Sequence, residues 1–392
     1  MNDATPVDPG AAFAALERML AKEDRISDLI GFLAALDPRP LSTVLRVTAG
    51  NPRISREEVL RVAPGGGRRS GRADLLVRDG AGIVALLEIK AAAGAHGDQF
   101  DRYDAWAKAQ RPPVTCHLIS LEADTRAAPD GWSTMLTLPM LLRAWQGGEH
   151  PHAGWLACAA AEVLESWIAQ CDGKLGRATS PAVADLVTRR VAVDLGAVSR
   201  LSAAGVEAQA PRTKGGTASV VSWLPFPSEH ADSGAWLCVE FRSARRANPG
   251  TPWLLRLGVE VGAGDRTDRQ ARAAAHDLAV PLRHELKCAA LRQHLQHVGQ
   301  DGLASFVRPG PRTIDGLKGD PDADALAAWR TNALTNDAYG EHPALFHDWG
   351  RRLASQILVD VTDLDRHQIV ELLAAALDHL ENAAKRQTSA AT

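Results

Sequence analysis

Tyrosine occurs twice and cysteine five times in 392 residues, and aromatic residues make up only 5% of the chain. The cysteines, Cys116, Cys158, Cys171, Cys238 and Cys288, are odd in number and never form a CxxC pair, which argues against a disulfide framework and a zinc ribbon. They read as buried thiols. No apolar run is long enough to span a bilayer, so no membrane partner is expected. Met1 to Gly10 lacks a basic stretch followed by an apolar one, so no secretory signal is read and the expected location is cytoplasmic. Neither sign of charge dominates: Lys+Arg total 44 and Asp+Glu 47, a net charge of −3. Any polyanionic partner must therefore be met by a local patch rather than by the field of the whole chain.

What is present is ordinary for a soluble globular protein of about two domains, with 45% hydrophobic and 23% charged residues. Residues 11 to 36 carry apolar side chains at helical spacing, including Ile26, Leu29, Ile30 and Leu33, with a break near Glu23 and an end at Pro38 and Pro40. Three β-like runs follow, Glu58 to Val62, Ala73 to Val77 and Ile83 to Lys90, separated by Gly65-Gly66-Gly67 and Asp79-Gly80. Gly97 to Ala109 is helical in period, Val114 to Leu121 is β-rich, and a further short strand is expected at Trp132 to Leu136 before helices at 139 to 145 and 154 to 170. The order α-β-β-β-α-β implies a mixed sheet with helices packed on it. The apolar-poor stretch CDGKLGRATSP, 171 to 181, marks a boundary, giving domains at 1–170 and 181–386. The second reads as α+β, with a helix at 181 to 204, strands near Ser219 to Trp223, Trp236 to Phe241 and Trp253 to Val261, and helices at 267 to 298, 322 to 335, 343 to 358 and 364 to 384.

The chemistry concentrates between residues 71 and 106. Glu88 and Lys90 are two apart on a strand and so share a face, while Ile89 points to the other. A turn at Asp79 to Gly82 brings Asp74 alongside Glu88 on the neighbouring strand. Two converging carboxylates repel each other, and a half-buried lysine loses hydration, so the arrangement is poor for stability. It suits a hard cation, which takes oxygen ligands from one or two carboxylates and leaves other positions to water and phosphate. Gln99 and Tyr103 follow, four apart on a helix. With only eight lysines and two tyrosines in the chain, this conjunction is rare by chance. In the plain alternative, Asp74 and Glu88 are solvated strand ends and Lys90 pairs with one of them.

Arg72-Ala73-Asp74 and Glu88-Ile89-Lys90 resemble the PD-(D/E)xK nuclease superfamily, with Ala73 where the family often has Pro, and Gln99-Phe100-Asp101-Arg102-Tyr103 resembles the QxxxY motif of its exonuclease-like branch. Glu23, or Asp24 beside it, stands where the family has its first-helix acid. The resemblance covers about the first 145 residues. It implies a restriction-endonuclease-like αβββαβ core followed by an α+β domain, and a metal-dependent DNA nuclease. In that reading Asp74, Glu88 and the backbone carbonyl of Ile89 hold Mg²⁺ or Mn²⁺, and Lys90 positions or activates water. Glu23 is an outer acid, and Gln99 and Tyr103 fix the substrate strand or the geometry of the site.

Other signals are weaker. Gly65 to Arg72 contains Arg68, Arg69 and Arg72, and residues 61 to 111 hold nine basic against six acidic residues, which suits a phosphate backbone or a solvated hairpin equally. Arg242, Arg245 and Arg246 make a basic turn, and Pro211 to Gly216 a basic loop, either of which could touch nucleic acid. His284, Cys288, His294 and His297 have spacings that permit metal ligation, but a plain helix face is the simpler reading. The class of function expected is phage defence or DNA repair, with DNA as partner. The alternative is a DNA-binding or scaffolding subunit of a multi-protein complex whose nuclease fold is silent or partner-activated, and a third reading is a homodimer, in which the second domain pairs two chains so that two sites cut two strands.

Overall fold

The computed structural model describes residues 9–47, 52–60, 71–80, 82–90, 99–122, 130–175, 181–211, 217–227, 234–243, 252–262, 269–310, 321–335, 346–348 and 352–391. The fold is mixed α/β, with a sheet in each of two compact units, Met1–Gln170 and Cys171–Thr392. Among the described residues no helix is long and apolar enough to cross a membrane.

The first unit runs α1 (Pro9–Leu20), α2 (Glu23–Leu36), α3 (Arg39–Val44), β1 (Arg53–Leu60), β2 (Gly71–Asp79), β3 (Gly82–Lys90), α4 (Gln99–Ala109), β4 (Thr115–Ser120), α5 (Leu138–Arg143) and α6 (Pro151–Gln170). The break near Glu23 separates α1 from α2, and Glu23 and Asp24 occupy the first turn of α2, where carboxylates are favoured by the helix dipole. Ile26, Leu29, Ile30 and Leu33, at spacings of three and four, form its buried stripe. Burying each such side chain contributes about 1.5–3 kcal/mol against conformational entropy. The sheet order is β1-β2-β3-β4, antiparallel except for the parallel pair β3 and β4, which α4 connects. That crossover is the reason a helix sits on this sheet: parallel neighbours need a connection long enough to cross a face.

Leu60, Ala73, Leu76 and Leu86 from the sheet pack with Phe100, Tyr103 and Trp106 of α4 and with Trp132. Leu75, Val77, Leu87 and Ile89, on alternate positions of β2 and β3, are fully buried as well, and α2 packs against β1, β2 and β3. Both faces of the central strands are therefore covered. Tyr103 approaches β2 so closely that a Cβ on Gly71 would lie 2.5 Å from its ring, so only glycine fits there. The strand expected at Trp132 to Leu136 reduces to a single bridge from Ser133 to His117, because this segment meets β4 at one residue only.

The second unit contains α7 (Pro181–Ala197), α8 (Ser199–Ala203), β5 (Glu207–Gln209), β6 (Ser219–Pro225), β7 (Ala235–Arg242), β8 (Trp253–Val261), α9 (Arg269–Ala279), α10 (Cys288–His297), α11 (Asp301–Phe306), β9 (Val307–Pro309), α12 (Ala323–Thr335), β10 (Phe346–Asp348), β11 (Arg352–Val359) and α13 (Arg366–Ala391). Its antiparallel sheet has the order β10-β11-β8-β7-β6-β5, with β9 also on β11. α7 and α13 pack against β6, β7 and β8, and α9 against β8 and β11.

Two expectations fail here. The helix at 267 to 298 is interrupted by turns between α9 and α10, and the helix at 343 to 358 is instead the strands β10 and β11. Strand β11 is buried on both faces, so its apolar residues show no period of two. Its polar members are matched by partners remote in sequence: Arg352 bonds Glu240 of β7 at 3.1 Å and Glu260 of β8 at 2.6 Å, and Arg256 bonds Glu240 at 2.9 Å. Trp223 donates its indole N–H to Glu260 at 2.8 Å. At the middle of this pairing a Cβ on Gly258 would stand 2.0 Å from the Leu353 carbonyl oxygen, which fixes glycine on β8.

Candidate active site

Asp74, Glu88 and Lys90 converge on one end of the first unit's sheet. The register Leu75↔Leu87 and Leu76↔Leu86 brings Asp74 beside the end of β3, where its Oδ2 accepts a 2.7 Å hydrogen bond from the Ile89 amide. The structure therefore brings the sequence-expected pair together, and it ties Asp74 to the backbone inside the Glu88-Ile89-Lys90 triplet. Lys90 Nζ lies 2.6 Å from Glu88 Oε1 and 3.9 Å from Glu23 Oε2, which the N-terminus of α2 supplies.

The first turn of α4 completes the arrangement. Gln99 Nε2 donates to Glu88 Oε1 at 2.7 Å and to the Tyr103 hydroxyl oxygen at 2.8 Å, so both amide protons are used. The Tyr103 hydroxyl in turn donates to the Arg72 carbonyl oxygen on β2. A helix spacing of four puts Gln99 and Tyr103 on one face of α4, and this is what the chain of bonds from β3 through α4 to β2 requires. Gln99 and Tyr103 thus act on the geometry of Glu88.

The electrostatics are those of crowded, dehydrated carboxylates. Glu88 is 1% exposed, and burial, reinforced by the charge of Asp74, pushes its carboxyl up to about 7. Burial likewise raises Asp74, against the Ile89 amide and the Lys90 charge, which lower it. For Lys90 burial acts downward, but the carboxylate of Glu88, then those of Glu23 and Asp74, outweigh it and hold the ammonium above its ordinary value. Burial and the Glu88 charge push the Tyr103 phenol up to about 12, so it remains a neutral donor.

One oxygen is left over. Glu88 Oε2 is buried and accepts no hydrogen bond from the described residues, in a site that gathers Glu23, Asp74 and Glu88 around Lys90. Buried polar atoms are normally satisfied, so this oxygen together with the raised carboxyls fits a hard cation held by oxygen ligands. Among the described residues no group of three or more His, Cys, Asp and Glu side chains is gathered closely enough to hold a metal by itself. Asp74 and Glu88 with a backbone carbonyl and water would be the ligand set.

Comparison with protein-family models, curated proteins and solved structures finds no match. The functional reading therefore rests on the residues.

Of the other site expectations, Arg72 lies on β2 at the edge of the site, whereas Arg68, Arg69, Arg245 and Arg246 lie outside the described residues. Most of the glycine-arginine loop and residues 212 to 216 of the second basic loop lie outside them too. Arg242 is half-buried and stands 3.8 Å from Glu240. His294 packs against the ring of His379 at 5.1 Å, and Cys288 is buried at the start of α10, which suits the plain helix-face reading of that cluster.

Sequence reasoning missed Glu57. The β1–β2 register runs Arg56↔Leu75 and Glu58↔Ala73, with Glu57 and Asp74 between them, and Glu57 has φ +51°. Gly71, Ala73 and Leu76 all approach α4, so the alternation of β2 slips once across Asp74. Left-handed backbone at a glutamate inside a strand carries no sequence signature.

Proposed function

We propose that the first unit is a metal-dependent phosphodiester hydrolase acting on DNA, built on a restriction-endonuclease-like core. The observation that carries this reading is the convergence of Asp74, Glu88 and Lys90 in a dehydrated cluster whose Glu88 Oε2 is buried without a partner. Asp74, Glu88 and the Ile89 carbonyl would hold Mg²⁺ or Mn²⁺. The bound ion would supply Lewis acidity toward a phosphate and its attacking water. Lys90, held protonated by its carboxylate neighbours, orients that water or offsets negative charge on the phosphate. Glu23 keeps the ammonium in place from the helix side, and Gln99, backed by Tyr103, keeps Glu88 from turning away.

The αβββαβ order, with an antiparallel β1-β2-β3 and a parallel β4, supports the resemblance to PD-(D/E)xK nucleases. The test is cleavage of supercoiled plasmid, linear duplex, single-stranded DNA and RNA by the full chain, beside Asp74→Ala and Lys90→Ala. Cleavage of DNA that needs a divalent cation and disappears in both variants is expected. Inactivity of the unaltered chain on every substrate, or equal cleavage by the variants, overturns the proposal and favours a binding or scaffolding role.

A further inference from the structure

Arg72 is fixed at both of its ends. Its carbonyl oxygen receives the Tyr103 hydroxyl, which belongs to the bonded chain leading to Glu88. Its guanidinium is tethered twice to one residue: Nε donates to the Glu57 carbonyl oxygen at 3.1 Å, and Nη2 lies 2.6 Å from Glu57 Oε2. Even so, the Arg72 side chain is 64% exposed. A guanidinium carries five N–H donors in a rigid fork. Among the described residues two are directed at Glu57, which leaves about three for a ligand.

The tether lies beside the reacting groups. Glu57 and Asp74 occupy the gap between two paired positions of β1 and β2. The left-handed φ of +51° at Glu57 is a conformation that glutamate rarely adopts, and here it accompanies a contact from both its carbonyl and its carboxylate to the same arginine. An ordinary surface ion pair needs neither. An arginine whose side-chain freedom has already been removed gives up little entropy on meeting a phosphate, and its planar fork matches phosphate oxygens in pairs.

We propose that Arg72 contacts a DNA backbone phosphate next to the scissile one and that Glu57 is the positioning residue that aims it. The inference rests on the nuclease reading above and adds to it a specific substrate contact and a residue that acts through it.

The test separates aim from charge. Binding of a fluorescein-labelled thymidine oligonucleotide and of a labelled duplex is measured by anisotropy over a range of salt concentrations, in the full chain carrying Lys90→Ala. Adding Arg72→Ala should weaken binding by about tenfold and reduce the salt slope by about one phosphate contact. Adding Glu57→Gln removes a negative charge facing a polyanion. If Glu57 acted only through its charge, binding would tighten, whereas loss of aim weakens it severalfold. Glu57→Asp keeps the charge and shortens the reach, and should also weaken binding. In the cleavage-competent chain, Glu57→Gln should raise KM with kcat nearly unchanged, and thermal unfolding of each variant reports whether the fold is kept. Equal or tighter binding by both Glu57 variants, or unchanged binding by Arg72→Ala, overturns the inference while leaving the nuclease reading intact. Failure of the Lys90→Ala chain to bind either DNA overturns both.

Discussion

Replacing Lys90 with methionine removes one partner of a buried ion pair and leaves the other in place. Glu88 is 1% exposed and Lys90 12%, and the 2.6 Å contact between them is the only cationic contact to Glu88 among the described hydrogen bonds and ion pairs. Breaking such a pair from one side typically destabilises a fold by about 3–5 kcal/mol. The loss here is limited by titration. The Glu88 carboxyl already sits near 7, and without the ammonium it rises further, so the group takes up a proton instead of remaining a bare buried charge. The sign follows. A carboxyl whose folded value exceeds its unfolded one contributes stability that is present at low pH and lost as pH rises through the folded value. Lys90→Met should therefore lose about 1.4 kcal/mol more at pH 8 than near pH 5, the free energy of ionising a carboxyl of about 7 that can no longer ionise. The assay is amide hydrogen exchange, read by mass spectrometry on peptides covering β2 and β3 and corrected for the intrinsic rate. Relative to the unaltered chain, a difference of that size accelerates exchange at pH 8 about tenfold more than near pH 5. Adding Glu88→Gln should recover most of the loss. An unchanged exchange rate at pH 8, or a double variant as unstable as the sum of the single ones, would refute the reasoning.

Other positions give independent checks. Gly71→Ala drives a methyl into the Tyr103 ring, and the fold should lose about 1–3 kcal/mol, measured by urea unfolding, with cleavage reduced because the chain of bonds to Glu88 is displaced. Arg352→Ala takes a guanidinium from Glu260, which keeps the Trp223 indole, and from Glu240, which keeps Arg256, and should accelerate exchange in β7 and β8 by at least about tenfold while leaving β2 and β3 unaffected. His379, on α13, donates to the Glu285 carbonyl at 2.7 Å, beside the Glu285 carboxylate, Arg386 and the ring of His294. Burial lowers its pKa despite Glu285, so protonation favours the unfolded state. Stability of α13 should thus be full above pH 6.5 and fall below it. His379→Gln should flatten that dependence of the corrected exchange rates; an unchanged slope would contradict it.

Where the first unit was legible, local pattern and tertiary demand coincide. The stripe of α2 faces a sheet that needs covering, and Glu88 and Lys90, two apart on a strand, do meet on one side. The spacing of Gln99 and Tyr103 likewise survives because a helix turn enforces it. The failures are residues whose setting is decided by remote partners. Strand β11 reads as a helix because Arg352, Ser355 and Gln356 are polar yet buried, and the partners of Arg352 come from strands about a hundred residues earlier. Glu57 is silent for a related reason: its left-handed backbone stands opposite Asp74, where the β1–β2 pairing is interrupted without a change of register, and neither strand announces this alone.

The most direct measurement counts Mn²⁺ bound to the full chain by electron paramagnetic resonance, beside Asp74→Asn and Glu88→Gln. At least one ion should bind the unaltered chain and be displaced by Mg²⁺, and that ion should be lost in each variant. A chain that binds no Mn²⁺, or variants that bind it as well as the unaltered chain, would contradict the assignment of Asp74 and Glu88 as metal-holding groups.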